Sequence, residues 1–86
     1  MTIKKLVEKY VKNTEKVLQQ ISDQVSHQES KVQKVLDYAN RYYKDAKYYS
    51  NQNKFETALA SIAYSEGLLE ALKILDLVHF QWITRI

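Results

Sequence analysis

The sequence predicts an all-α protein, an antiparallel three-helix bundle, and three observations carry that prediction. Apolar residues recur at three- and four-residue steps through most of the chain, the spacing of one face of a helix. Proline is absent and glycine occurs once, as Gly67, so little interrupts helix propagation across 86 residues. Two polar stretches, near residues 24–28 and at Ser50-Asn51-Gln52-Asn53, cut the pattern into three segments. A chain this short makes one domain, residues 1–86, and buries roughly 60–65% of the surface it exposes when unfolded. It contains no cysteine, so neither disulfides nor thiolate metal sites can staple it.

Helix one is predicted over residues 3–23. Thr2 is its candidate N-cap, and Ile3, Leu6, Val7, Tyr10, Val11, Thr14, Val17, Leu18, Ile21 and Val25 make a single amphipathic stripe. The segment from Ser22 to Ser30 is rich in side chains that compete for backbone hydrogen bonds, which places the first connection there. Ser26 followed by Glu29 has capping-box spacing for the next helix.

Helix two is predicted over 28–51, on Val32, Val35, Leu36, Ala39, Tyr43 and Ala46. It ends near residues 51–53, where Asn tolerates the left-handed conformation that closes helices. Helix three is predicted over 54–80, on Phe55, Ala58, Leu59, Ile62, Leu69 and Leu72. Gly67 within it costs about 1 kcal/mol relative to Ala, which suggests close approach of a neighbouring backbone. From Leu68 onward apolar residues cover nearly every direction, more than a three-helix monomer can hide; the surplus predicts an oligomer interface or a docking surface. Residues 78–86 fit two patterns. Leu75, Val78, Trp82 and Ile86 suit a continuing helix, whereas Val78, Phe80, Trp82, Thr84 and Ile86 suit a strand joining a partner's sheet edge. The absence of Pro or Gly favours helix.

The formal charge of +3 is unevenly spread. Residues 1–54 hold eleven Lys or Arg against six Asp or Glu, and residues 55–86 hold two against four. Lys4, Lys5, Lys9, Lys12 and Lys16 read first as the solvated face of helix one, and second as a surface for phosphate or an acidic protein. With only Arg41 and Arg85 and no base-reading device, sequence-specific nucleic-acid recognition is not expected. There is no signal-peptide pattern and no membrane-length apolar run. The expected setting is soluble and cytoplasmic.

Reactive chemistry is sparse. His27 and His79 stand far apart, neither with a ligand-spaced neighbour, and both read as structural. There is no phosphate loop and no Cys nucleophile, and Arg41 lacks the downstream His of Arg-His helical nucleases. Asp45, Glu66 and Glu70 could converge on a cation across the helix two–three hairpin, although partnering with Tyr hydroxyls and lysines is the commoner role. Tyr38, Tyr42, Tyr43, Tyr48, Tyr49 and Tyr64 read first as core and second as a stacking platform for single strands. Trp82 is either an interface anchor or a cover for the bundle end.

The stretch Tyr43-x-Asp45-Ala46-x-Tyr48-Tyr49, a polar turn, then Ala58, Ser61, Tyr64 and Glu66-Gly67-Leu68-Leu69-Glu70-Ala71-Leu72, resembles an archaeal domain-of-unknown-function family, number three-five-seven. The family's usual Gly-Asp turn is replaced here by Gln52-Asn53-Lys54. Members are small helical proteins, some appended to nucleotidyltransferase-like domains, and the resemblance implies that fold without bringing catalytic residues. Helices two and three also look like a tetratricopeptide-like hairpin in single copy. In size, helical character, basic balance and apolar C-terminal excess, the chain is similar to the small accessory subunits of Sulfolobus-type family-B DNA polymerase holoenzymes.

The expected function is therefore that of a non-catalytic accessory or interaction subunit. It docks through its apolar last helix (Leu75, Val78, Phe80, Trp82, Ile83, Ile86) on a larger protein, with a replicative family-B DNA polymerase as candidate. Lys4, Lys5, Lys9, Lys12 and Lys16 add nonspecific attraction for DNA. Two alternatives stand beside it: a nucleotide- or metal-binding module using Asp45, Glu66, Glu70 and tyrosines, and a homodimeric structural protein. No cofactor is expected.

Overall fold

Three helices and an extended strap, drawn from a computed structural model that describes residues 1–83, make up the molecule. The helices are α1 (Ile3–Gln20), α2 (Ser30–Asn51) and α3 (Phe55–Ile74), with a 3₁₀ turn at Val25–His27 between the first two. The bundle is all-α, and α2 packs most closely on α3.

Helix α1 begins as expected: the Thr2 hydroxyl accepts the Lys5 N–H at 3.2 Å. It stops at Gln20 rather than 23. The Ser22 hydroxyl donates to the Gln19 carbonyl at 3.0 Å, a local bond of the kind that draws backbone out of a helix. Residues 21–29 then turn the chain. The Ser26–Glu29 capping box does not form; Glu29 is the N-cap of α2 and makes no side-chain capping bond.

Helix α2 buries Val32, Leu36, Ala39, Tyr43 and Ala46. It closes in a Schellman motif: Asn53, at φ 60°, donates to the Ser50 carbonyl, and Lys54 donates to the Tyr49 carbonyl at 2.9 Å. Helix α3 buries Ala58, Ile62, Ser65, Leu69 and Leu72. The small residues Ala39, Ala46, Ala58 and Ser65, all fully buried, let the two backbones approach. The approach is locked where the Ser65 hydroxyl donates to the Ala39 carbonyl at 2.7 Å. Gly67 is not part of it. It is exposed, and a Cβ built there would meet nothing within 4 Å.

The main departure from the sequence expectation comes after α3, which ends at Ile74 instead of running to 80. A second Schellman motif ends it. Asp76 takes φ 58° and donates to the Lys73 carbonyl, and Leu77 donates to the Leu72 carbonyl, both at 2.9 Å. Asp, like Asn, tolerates the left-handed region better than most residues, so the helix stops without Gly or Pro. The chain then runs extended past residues 20–28 toward the middle of α1. Val78 and Phe80 turn inward and complete a core cluster with Val17, Ile21, Val32, Leu36, Ala39, Leu69 and Leu72. A second cluster, Tyr43, Ala46 and Ile62, sits under Tyr10, Val11, Leu18 and Leu59.

Candidate interaction surface

An extended segment needs partners for its backbone groups, and among the described residues no strand supplies them. Glutamine side chains do. Gln24 donates its amide to the His79 carbonyl at 2.8 Å and accepts the His79 N–H at 2.9 Å. Four residues earlier, Gln20 treats Gln81 the same way, at 2.8 and 3.0 Å. Gln28 donates to the Leu77 carbonyl at 2.6 Å, and Asn13 accepts the Ile83 N–H at 3.1 Å. A primary amide carries a donor and an acceptor side by side, so each glutamine imitates one residue of a neighbouring strand. The 77, 79, 81, 83 register faces these amides, while Val78 and Phe80 enter the core and Trp82 packs against it. The Phe80 and Trp82 rings meet edge to face with centroids 4.9 Å apart, and the Lys73 ammonium lies 5.1 Å from the Phe80 centroid. The Trp82 indole N–H donates to the Glu70 carboxylate.

The structure divides the expected docking residues. Val78 and Phe80 are spent inside the molecule, at 0% and 6% exposure, and Trp82 is half-buried. Leu75 and Ile83 remain in water at 65% and 61%, joined by Ile74 at 72%. Ile86 lies outside the described residues. Sequence reasoning saw excess apolar residues in the final third, and part of that excess covers the chain's own core.

One surviving docking residue meets the basic face. Ile83 lines a shallow depression of about 190 Å³ with Lys9, Lys12, Asn13 and Lys16. Lys4, Lys5, Lys12 and Lys16 are exposed and Lys9 is half-buried. The strap therefore places an exposed aliphatic side chain among three lysines that sequence alone could not connect to it.

Two of the three candidate carboxylates also share a site. Glu66 and Glu70 line an open groove between α1 and α3 with Leu6, Tyr10, Leu59, Ala63 and Gly67. Asp45, on α2, is not part of that lining. Among the described residues no group of three or more His, Cys, Asp or Glu could hold a metal ion. The Glu66 Oε2 atom is buried without a hydrogen-bond partner. Its carboxyl is held above the usual carboxylate range, mainly by desolvation and further by the nearby charge of Glu70.

A family model for "Protein of unknown function (DUF357)" matches residues 9–78. The chain belongs to the DUF357 family. No curated protein and no solved structure matches it. In this DUF357 protein the matched span holds most of α1, all of α2 and α3, and the glutamines at 20, 24 and 28, but stops at Val78. The Tyr64-x-Glu66-Gly67-Leu68-Leu69-Glu70-Ala71 run, which carried the resemblance in the sequence, does several things at once. Leu69 is core, Ser65 locks α3 to α2, and Glu66, Gly67 and Glu70 form one wall of the groove.

The tyrosines divide likewise. Tyr43 is buried with Lys47 5.3 Å from its ring centroid, whereas Tyr38, Tyr48 and Tyr64 are exposed. Tyr64 packs on Tyr42 with centroids 4.4 Å apart, and Arg41 lies 5.2 Å from the Tyr38 centroid. His27 and His79 are exposed, and His79 contributes its backbone to the strap. No helix among the described residues is long and apolar enough to cross a membrane.

Proposed function

We propose that this DUF357 protein is a non-catalytic interaction subunit that docks on a larger, acidic partner through the Ile83 depression. The supporting observation is the coincidence of Ile83, 61% exposed, with Lys9, Lys12 and Lys16 at one spot. An aliphatic anchor ringed by cations matches an apolar pocket rimmed by carboxylates. The lysines supply on-rate and register, and the isoleucine supplies desolvated contact. The remaining basic residues of α1, Lys4 and Lys5, extend the same field and add a nonspecific attraction for duplex phosphate. Among larger proteins, a family-B DNA polymerase is the candidate carried by the chain's size, helical character and basic balance.

The test uses purified family-B DNA polymerase and, separately, a short duplex, titrated with labelled wild-type protein and with Ile83→Glu and Lys9→Glu/Lys12→Glu/Lys16→Glu variants. Docking through the depression requires saturable polymerase binding that both variants weaken at least about tenfold. Duplex binding alone should respond to the lysine changes and to salt, with little response to Ile83→Glu. Polymerase binding that neither variant alters removes the depression as the docking site. Absence of binding to the polymerase removes that partner.

A further inference from the structure

The connector between α3 and the strap is short, the two residues Leu75 and Asp76. As folded here, Leu75 and Asp76 turn the chain back, with Asp76 at φ 58°, a region that L-residues other than Asn and Asp seldom occupy. Yet neither Gly nor Pro follows α3, and Leu75, Val78 and Trp82 keep helical spacing across the turn. A straightened connector would extend α3 and carry residues 77–83 away from their own α1. That leaves an apolar seat over Val17, Ile21 and Leu72, flanked by Gln20, Gln24 and Gln28, with nothing in it.

We propose that a second copy of this chain fills the seat: two copies exchange residues 77–83. Gln24 of each copy then holds the His79 backbone of the other, and Glu70 of each accepts the other's Trp82 indole. The exchange keeps the strap's contacts with the glutamines, Glu70 and the core, since the incoming segment is identical to the outgoing one, and gives up the turn bonds of Asp76 and Leu77. The two states differ in the connector, the apolar residues beside it and the association entropy. Straightening the connector releases Asp76 from its left-handed conformation in both copies. Ile74 and Leu75, beside the turn at 72% and 65% exposure in the single copy, are apolar surface next to the exchanged segment that a second copy would cover. The occupant is fixed by the seat itself, whose inward positions take a valine and a phenylalanine and whose Glu70 takes an indole N–H.

Asp76 sets the balance, and opposite substitutions push it in opposite directions. Alanine disfavours the left-handed turn and favours helix, whereas glycine does the reverse. Light scattering over a concentration series should show dimerisation tightened roughly tenfold or more in Asp76→Ala and weakened in Asp76→Gly, because two connectors change per dimer. Isotope-filtered NOE spectra on mixed labelled and unlabelled Asp76→Ala should then show Trp82 and Phe80 of one copy against Val17 and Ile21 of the other. A dimer whose strap contacts are all intramolecular overturns the exchange, as does a folded Asp76→Ala that stays monomeric at millimolar concentration. Should circular dichroism show Asp76→Ala unfolded, the wild-type chain is warmed to its midpoint at millimolar concentration and cooled. Intermolecular cross-peaks from that sample support the exchange and a purely monomeric product contradicts it.

Discussion

Gln24 and His79 are joined by a reciprocal pair of hydrogen bonds, side-chain amide to backbone, at 2.8 and 2.9 Å. The pair does for the strap what a neighbouring strand does in a sheet, and it is repeated by Gln20 and Gln81. Gln24→Ala removes both bonds to His79. Because His79 is exposed, water replaces part of what is lost, and the expected cost is about 1 kcal/mol. In an 86-residue domain that lowers Tm by roughly 4–8 °C. Gln19→Ala, an exposed change one residue from the ladder, should change stability by less than about 0.5 kcal/mol.

The strap's inward residues carry more than its bonds do. Phe80→Ala empties a buried ring position beside Trp82 and is expected to cost about 3 kcal/mol or more in urea unfolding. Leu75→Ser, at a position 65% exposed, should cost less than about 0.5 kcal/mol. Equal effects at the two positions would mean that residues 78–80 do not belong to the core.

Thr14 is fully buried on α1, and its hydroxyl has no hydrogen-bond partner. An unsatisfied buried hydroxyl costs on the order of 1–3 kcal/mol. Thr14→Val keeps the shape and removes the hydroxyl, so a stabilisation of about 1 kcal/mol is expected in denaturant melts. A destabilisation would show that the hydroxyl is satisfied in solution.

The raised Glu66 carboxyl makes stability depend on pH in a defined direction. Its folded-state pKa lies above the ordinary 4.5, so the folded protein holds the proton more tightly than the unfolded chain does. Its favourable contribution is complete below that ordinary value and disappears as pH rises through the folded-state value. Glu66→Gln should therefore stabilise the protein at pH 7, by no more than about 1 kcal/mol because the group is still partly solvated. The advantage should shrink as pH falls through the folded-state value and be gone below 4.5. A gain that persists unchanged at low pH would assign it to something other than ionisation.

The helices were readable because their buried faces follow one period: Val7, Thr14 and Val17 on α1, Leu36, Ala39, Tyr43 and Ala46 on α2, Ile62, Leu69 and Leu72 on α3. Asn53 announced the end of α2. The end of α3 was harder to read, because Asp76 is a weaker stop signal than Gly and the apolar spacing continues through it. The alternation Val78, Phe80, Trp82 did signal extended chain, but it pointed to a partner's sheet edge. The actual edge is made of side-chain amides, and its sequence trace is the four-residue spacing of Gln20, Gln24 and Gln28, which otherwise reads as an ordinary polar connection. The depression at Ile83 was unreadable for the same reason, since only the strap brings residue 83 to Lys9, Lys12 and Lys16.

Amide hydrogen exchange at His79 and Gln81 tests the strap most directly, because both residues are exposed and only the glutamine bonds shield their N–H groups. The strap account requires both amides to exchange at least about tenfold more slowly than unstructured chain, with His79 alone losing that protection in Gln24→Ala. Exchange of both at unstructured rates, while α1, α2 and α3 stay protected, would contradict it.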